Sequence, residues 1–180
     1  MSIFQLISTK YRNSANGPII TLYGRSENGE PIYQDFSGLR PYFYVRPKNS
    51  EDTRLLLSEF PEVTDVFEDY KFLPNGYQVE PTEVLQVFVN RPSDVPKIRD
   101  QLLGNPDILD IYEADVLFAT ERFLTNYNLY GMNWVEYNNG AIKLLDKKEN
   151  APIKILGIDI EVLPPEKGVP DANNDPITIV

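Results

Sequence analysis

The 180-residue sequence contains no cysteine and no histidine. The first absence removes disulfides, thiolate metal sites and cysteine nucleophiles; the second removes imidazole ligands and serine-type triads. Any chemistry must therefore run on carboxylates, hydroxyls, lysine or arginine. Also missing is any run of about 18 apolar residues of the kind that spans a bilayer. The polar start Met1-Ser2-Ile3-Phe4-Gln5 lacks the basic-then-apolar layout of a signal peptide. The expectation is a soluble cytoplasmic protein with no membrane partner. Positive charge is scarce too: the net charge is -10, which argues at first against nucleic acid, since phosphate binding rests on positive surface.

The charge is not evenly spread. Residues 1–50 carry six basic residues against three acidic ones; the remainder carries eleven against twenty-four. The basic portion also holds Phe4, Tyr11, Tyr23, Tyr33, Phe36, Tyr42, Phe43 and Tyr44. A local groove that stacks bases and holds phosphates is compatible with this layout, as is a half-buried sheet with ordinary surface charges.

Residues 3–12, 18–25 and 31–36 are rich in β-branched and aromatic side chains and are separated by Asn/Gly-containing turns, which predicts a three-stranded meander. A strand at 41–47 comes next. An amphipathic helix follows over 51–60, with Leu55, Leu56 and Phe60 on one face, then strands near 62–72 and 83–90. Ser93 or Asp94 as N-cap and Pro96 in the first turn predict a helix carrying Ile98, Leu102 and Leu103. With a strand at 108–113, the order over 41–113 is the ferredoxin-like βαββαβ order. A short helix is expected over 116–127. Residues 128–150, rich in Asn and Gly, read as an irregular connection to a new domain.

That domain opens with an apolar run, Ile155 to Leu163, interrupted by Asp159 and Glu161. In a strand these two carboxylates share one face while Ile158, Ile160 and Val162 point into a core. Carboxylates so placed can share a hard divalent cation, and a metal or a water-filled cleft is the natural reason to keep them there. The same tripeptide pattern also occurs in plain edge strands. A small phosphatase-like site would need further carboxylates, for which Asp171 and Asp175 are the nearby candidates. The chain stops at Val180 inside another apolar stretch, an ending that reads as a cut.

Four separated segments occur in an order that resembles the N-terminal region of family B DNA polymerases of the archaeal type. They are Leu39-Arg40-Pro41-Tyr42-Phe43-Tyr44, Asp94-Val95-Pro96-Lys97-Ile98-Arg99, Ile111-Tyr112-Glu113-Ala114-Asp115-Val116-Leu117-Phe118 with Arg122-Phe123-Leu124, and Gly157-Ile158-Asp159-Ile160-Glu161. The resemblance covers essentially the whole chain. It implies an α+β architecture: a polymerase N-terminal domain over 1–130 that includes the β-rich meander and the ferredoxin-like unit 41–113, a connection over 131–152, and a truncated start, 153–180, of an RNase H-like 3'-5' exonuclease domain. Asp159 and Glu161 would then be carboxylates of the first exonuclease motif, holding Mg2+ or Mn2+ in the full-length enzyme, with the remaining ligands outside this chain. The parent would be a DNA-directed DNA polymerase with proofreading, and the fragment alone inactive. Its partners would be single-stranded template DNA, the remainder of the polymerase chain, and a sliding clamp engaged through regions absent here.

The same resemblance implies a pocket that captures deoxyuracil in the template. By matching motifs, Tyr11, Pro41, Tyr42, Pro92, Val95, Val116, Phe118 and Arg122 would line it. Uracil would enter and thymine would clash through its C5 methyl, with an Arg at the mouth for phosphate. The sequence departs from the family pattern in three places. Leu117 stands where the family usually has Pro, and Ser93 where archaeal members often have Gln. Thr120-Glu121 holds one extra residue before Arg122, an insertion expected to turn Arg122 away and set Glu121 against phosphate. The reading that competes with base capture is a module that only braces the polymerase or an RNA or DNA strand.

Overall fold

The structure, a computed structural model, describes residues 1–74, 76–162, 171, 173 and 177–179. Two antiparallel sheets carry almost all of it.

The first sheet is ordered β3-β2-β1-β8-β9. Its strands are β1 (Ser2–Ser14), β2 (Gly17–Arg25), β3 (Pro31–Ser37), β8 (Trp134–Asn138) and β9 (Ala141–Leu145). The meander read from the sequence is present, but it is not the whole layer. Residues 128–150, expected to be irregular, contain the β8–β9 hairpin, and β8 pairs with the start of β1 from Ser2↔Tyr137 to Gln5↔Trp134. Asn139 and Gly140, both at positive φ, form its two-residue turn. That is the Asn-Gly hairpin chemistry, which the surrounding Asn and Lys residues obscured in the sequence.

Register within β1 changes once. Leu6 pairs with Gly24 and Ser8 with Tyr23, leaving Ile7 as a bulge. Before it, Phe4 and Leu6 face the core; after it, Thr9 pairs with Leu22 and Tyr11 with Ile20, partners that are themselves in the core. Because strand side chains alternate, a one-residue slip exchanges the faces. The bulge is what turns Thr9 and Tyr11 to the inner side. A π-helical turn (Phe118–Arg122) and the short α3 (Phe123–Asn126) cross that face. Phe118 and Phe123 close a core with Phe4, Leu6, Ile20, Leu22 and Phe36.

The second sheet is ordered β5-β6-β4-β7, from β4 (Tyr42–Pro47), β5 (Val63–Lys71), β6 (Thr82–Val89) and β7 (Ile108–Tyr112), with α1 (Ser50–Ser58) and α2 (Asp94–Leu102) between strands. Every neighbouring pair is antiparallel. This is the ferredoxin-like arrangement expected from the element order. Phe43 and Val45 point to the helices and join Leu57, Leu85, Val87 and Ile98 in a second core. Tyr42 and Tyr44, one pleat out of phase, point the other way.

Helix α1 is capped by the Asn49 side chain, which accepts from the amides of Glu51 (2.9 Å) and Asp52 (3.2 Å). Its buried face is Thr53 and Leu57, with Leu56 packed beside them; Leu55, expected on that face, is exposed. Helix α2 buries Val95, Ile98 and Leu102. Ser93 occupies its N-cap position without a side-chain bond, while the Asp94 carboxylate accepts from the Arg91 amide (3.1 Å) and pairs with Lys97 (2.9 Å). The helix expected over 116–127 divides into the π turn and α3.

Downstream, residues 151–159 carry no regular structure and the strand β10 (Ile160–Val162) pairs with β11 (Ile177–Ile179). The strand expected from Ile155 is thus confined to its last part. Ile158, expected to point into a core, is 63% exposed, and Ile155 and Leu156 ahead of it are 91% and 81% exposed. A two-stranded ribbon has no third strand or helix to cover them among the described residues, and such ribbons are marginal alone.

Candidate nucleic-acid interface

The joint between the two sheets holds an open pocket of about 420 Å³. Tyr11 from β1, Pro41 and Tyr42 at the head of β4, Pro92 and Val95 at the start of α2, and Val116, Phe118 and Arg122 around the π turn all line it. These are the eight positions nominated from the sequence, gathered from across more than a hundred residues of chain. Ser93, Pro96, Arg99, Asp115 and Leu117 complete the walls. The volume falls in the range of small-molecule sites, and rings and aliphatic side chains dominate the lining, as such sites require.

Aromatic geometry sets its shape. Tyr11 and Phe118 meet edge-on with centroids 5.6 Å apart. Tyr42 contacts Tyr44 (5.6 Å) and Phe88 (5.4 Å), and its hydroxyl donates to Asn126 Oδ1 at 3.1 Å. Tyr44 is off the lining and buried, and burial, with the neighbouring Tyr42 phenol adding to it, pushes its pKa up to about 12.

Arg122 is on the lining as nominated, but not at the mouth, since its side chain is only 7% exposed. One Nη pairs with the Glu113 carboxylate; the other donates to the carbonyls of Glu113 (3.0 Å) and Tyr42 (3.3 Å). The guanidinium carbon sits 4.1 Å from the Tyr42 ring centroid, a cation–π contact. Nor does the extra residue swing Arg122 away. The chain absorbs it as a π turn: the Phe123 amide reaches back to the Phe118 carbonyl and the Arg122 amide to that of Leu117 (3.0 Å). Single-residue widening of this kind is the usual origin of π turns, which are frequent at functional sites.

Two side chains secure the turn. Thr9, turned inward by the β1 bulge, donates to the Ala119 carbonyl at 2.6 Å. The Glu121 carboxylate accepts from the Leu117 amide at 3.0 Å. The N–H of Leu117 needs a partner, and Glu121 supplies it; Glu121 does not face the pocket as a free anion. Thr9, Glu113 and Asn126 escaped the sequence reading because each acts through long-range or backbone contacts that no local pattern signals. Glu113 carried one local hint, lying between a strand and a short helix, where a left-handed residue (φ 57°) forms the corner.

The second nominated site divides. Asp159 is described, exposed, and just ahead of β10; Glu161 lies within β10, opposite Thr178. The side chain of Glu161 and all of Asp175 fall outside the described residues, and Asp171 accepts from the Asn173 amide (2.9 Å). Because residue 159 precedes the strand, strand alternation does not place it on the face of residue 161. Among the described residues no group of three or more carboxylates converges to hold a metal ion.

This architecture, a β-rich layer docked on a ferredoxin-like unit, is the fold of the N-terminal region of an archaeal family B DNA polymerase. The structure of that enzyme from Pyrobaculum calidifontis superposes with a TM-score of 0.72 at 24% identity, covering 98% of this chain and 24% of that one. No protein-family model matches the chain. Its sequence homologues are archaeal DNA polymerases. DNA polymerase 2 of Aeropyrum pernix is 28% identical over 134 residues, 73% of this chain, and the DNA polymerase of Thermococcus gorgonarius is 28% identical over 161 residues, 88% of it. The chain spans only 17% and 19% of the length of those two relatives.

Proposed function

We propose that this chain is the template-holding N-terminal region of a DNA polymerase, and that its pocket accepts one unpaired base of single-stranded template DNA and distinguishes deoxyuracil from thymine. One observation carries the reading: the eight residues nominated from sequence alone line a single pocket of base-compatible size. A largely apolar pocket walled by Tyr11, Tyr42 and Phe118 suits a planar uncharged ring. A close wall can discriminate at C5, where thymine carries its methyl group.

The test is an anisotropy titration against two single-stranded oligonucleotides that differ only by one deoxyuracil or thymine. A preference of tenfold or more, about 1.4 kcal/mol, that disappears in Tyr42→Ala supports base reading. Equal weak binding to both selects the bracing module instead, a reading favoured by the acidic net charge and by the engagement of Arg122 with Glu113.

The parent activity is part of the same proposal: a DNA-directed DNA polymerase whose proofreading nuclease opens at Asp159 and Glu161, with Mg2+ or Mn2+ supplied to carboxylates from this chain and from the rest of the parent. The isolated chain should neither extend a primer nor degrade a labelled strand when either metal is added.

A further inference from the structure

Arg122 lines the pocket, yet its hydrogen-bonding capacity is directed into the protein. The carboxylate and the backbone carbonyl of one residue, Glu113, grip it together, and the left-handed backbone at Glu113 (φ 57°) is what brings both groups to the same guanidinium. Tyr42 completes the arrangement with its carbonyl at 3.3 Å and its ring against the guanidinium. Arg99, the other arginine on the lining, donates from Nε to Asp100 at 2.8 Å.

A guanidinium so compensated offers little net field to a phosphate, with three of its five donors bonded inside the protein, whereas it stiffens the aromatic floor it lies against. Resting on the base-pocket reading above, we infer that Glu113 is the positioning residue that decides what this pocket accepts. By holding Arg122 flat against Tyr42 it cancels the positive charge of the floor, so that the site, with the Asp115 carboxylate also on its wall, takes an uncharged planar base and turns away the anionic backbone. Glu113 is 47% exposed and Arg122 7%; the solvated partner sits outside the site and the buried one inside it, so the carboxylate acts through the arginine and touches no ligand itself.

Salt dependence separates this role from plain structural support, because only a change in phosphate contacts alters counterion release. Single-stranded oligonucleotides carrying thymine, deoxyuracil or an abasic site are titrated at several salt concentrations. Glu113→Gln keeps the size and an acceptor but removes the charge. It should tighten binding to all three strands, steepen the log–log salt slope by about 0.7, the value for one further phosphate contact on a single strand, and erase discrimination among them. Arg122→Gln is the independent arm: it should lower the uracil preference and leave the slope of the unsubstituted chain in place.

A folded Glu113→Gln chain with unchanged slope and preference overturns the inference. So does a slope that flattens by about 0.7 in Arg122→Gln, since Arg122 would then already hold phosphate. If the unsubstituted chain shows no base preference, the base reading fails on its own, and the Glu113→Gln chain still decides: a gain of salt-sensitive strand binding supports the lock, no gain rejects it.

Discussion

Gly24 occupies a position at which any side chain meets resistance. A Cβ there would lie inside contact distance of the Phe4 ring and of the Gln5 carbonyl oxygen, and the carbonyl belongs to the strand ladder beside the β1 bulge, so it has little freedom to yield. Gly24→Ala should lower stability by about 1–3 kcal/mol, measured by urea unfolding. Tyr44 makes a second residue-scale prediction. Burial raises its pKa to about 12, above the ordinary value near 10, so its protonated form stabilises the fold fully below pH 10 and that contribution is lost as pH rises toward 12. Tyr70, Tyr112 and Tyr127 are also shifted upward, so phenolate absorbance should show a late-ionising group of tyrosines, and Tyr44→Phe should remove the part of it that coincides with unfolding. At the acid end the Arg12 guanidinium, with the Thr21 hydroxyl assisting, holds Asp35 down at about 2. This network is exposed, so the stability it loses as pH falls from about 4 to 2 is small, about 0–1 kcal/mol.

Among the elements, the π turn is where local pattern and outcome part. The resemblance implied an extra residue but not its fate, because a helix can accommodate an insertion by rotating everything downstream or by widening a single turn. Packing decides: Phe118 and Phe123 are both fixed in the first core, so the chain between them bulges and Arg122 keeps its place. Deleting Glu121 should then convert the widened turn to ordinary α-helix without displacing Arg122, and the melting temperature should fall only slightly, because the Leu117 amide that loses its acceptor is at an exposed position. Thr9→Val, which removes the donor to the Ala119 carbonyl, should cost about 1–3 kcal/mol by urea unfolding. The ferredoxin-like unit was legible for the opposite reason. Its helices and strands are short and regularly patterned, and Pro96 in the first turn ahead of Ile98 and Leu102 announces α2 within a few residues. The β8–β9 hairpin was not legible, since its strands are half exposed and only pairing with β1 gives them a place. The pocket was legible through resemblance and not through physics; no composition or spacing would have joined Tyr11 to Arg122.

At the scale of the whole molecule, the path of the chain beyond β9 is fixed by a residue near its start. Gln5 is 1% exposed and bonds Met132 O (2.8 Å), Asn150 Oδ1 (2.7 Å) and the Ala151 amide (2.8 Å), while Trp134 Nε1 donates to Glu149 O at 2.6 Å. Gln5→Leu would strand the buried Ala151 amide at a cost of about 1–3 kcal/mol, and limited proteolysis should then cut near 149–152 well before the rest. The pocket poses a different question of integrity, because its walls belong to two layers: Tyr11 and Phe118 to one, Tyr42 and Val95 to the other. Arg122 is the keystone between them. Anything lodged in that joint acts as mortar, binding only while the layers are seated and so opposing their separation by mass action. Amide exchange in β1 and β4 should slow in step when the cavity is filled, and a molecule that merely coats the surface would leave the two strands to open at their own separate rates.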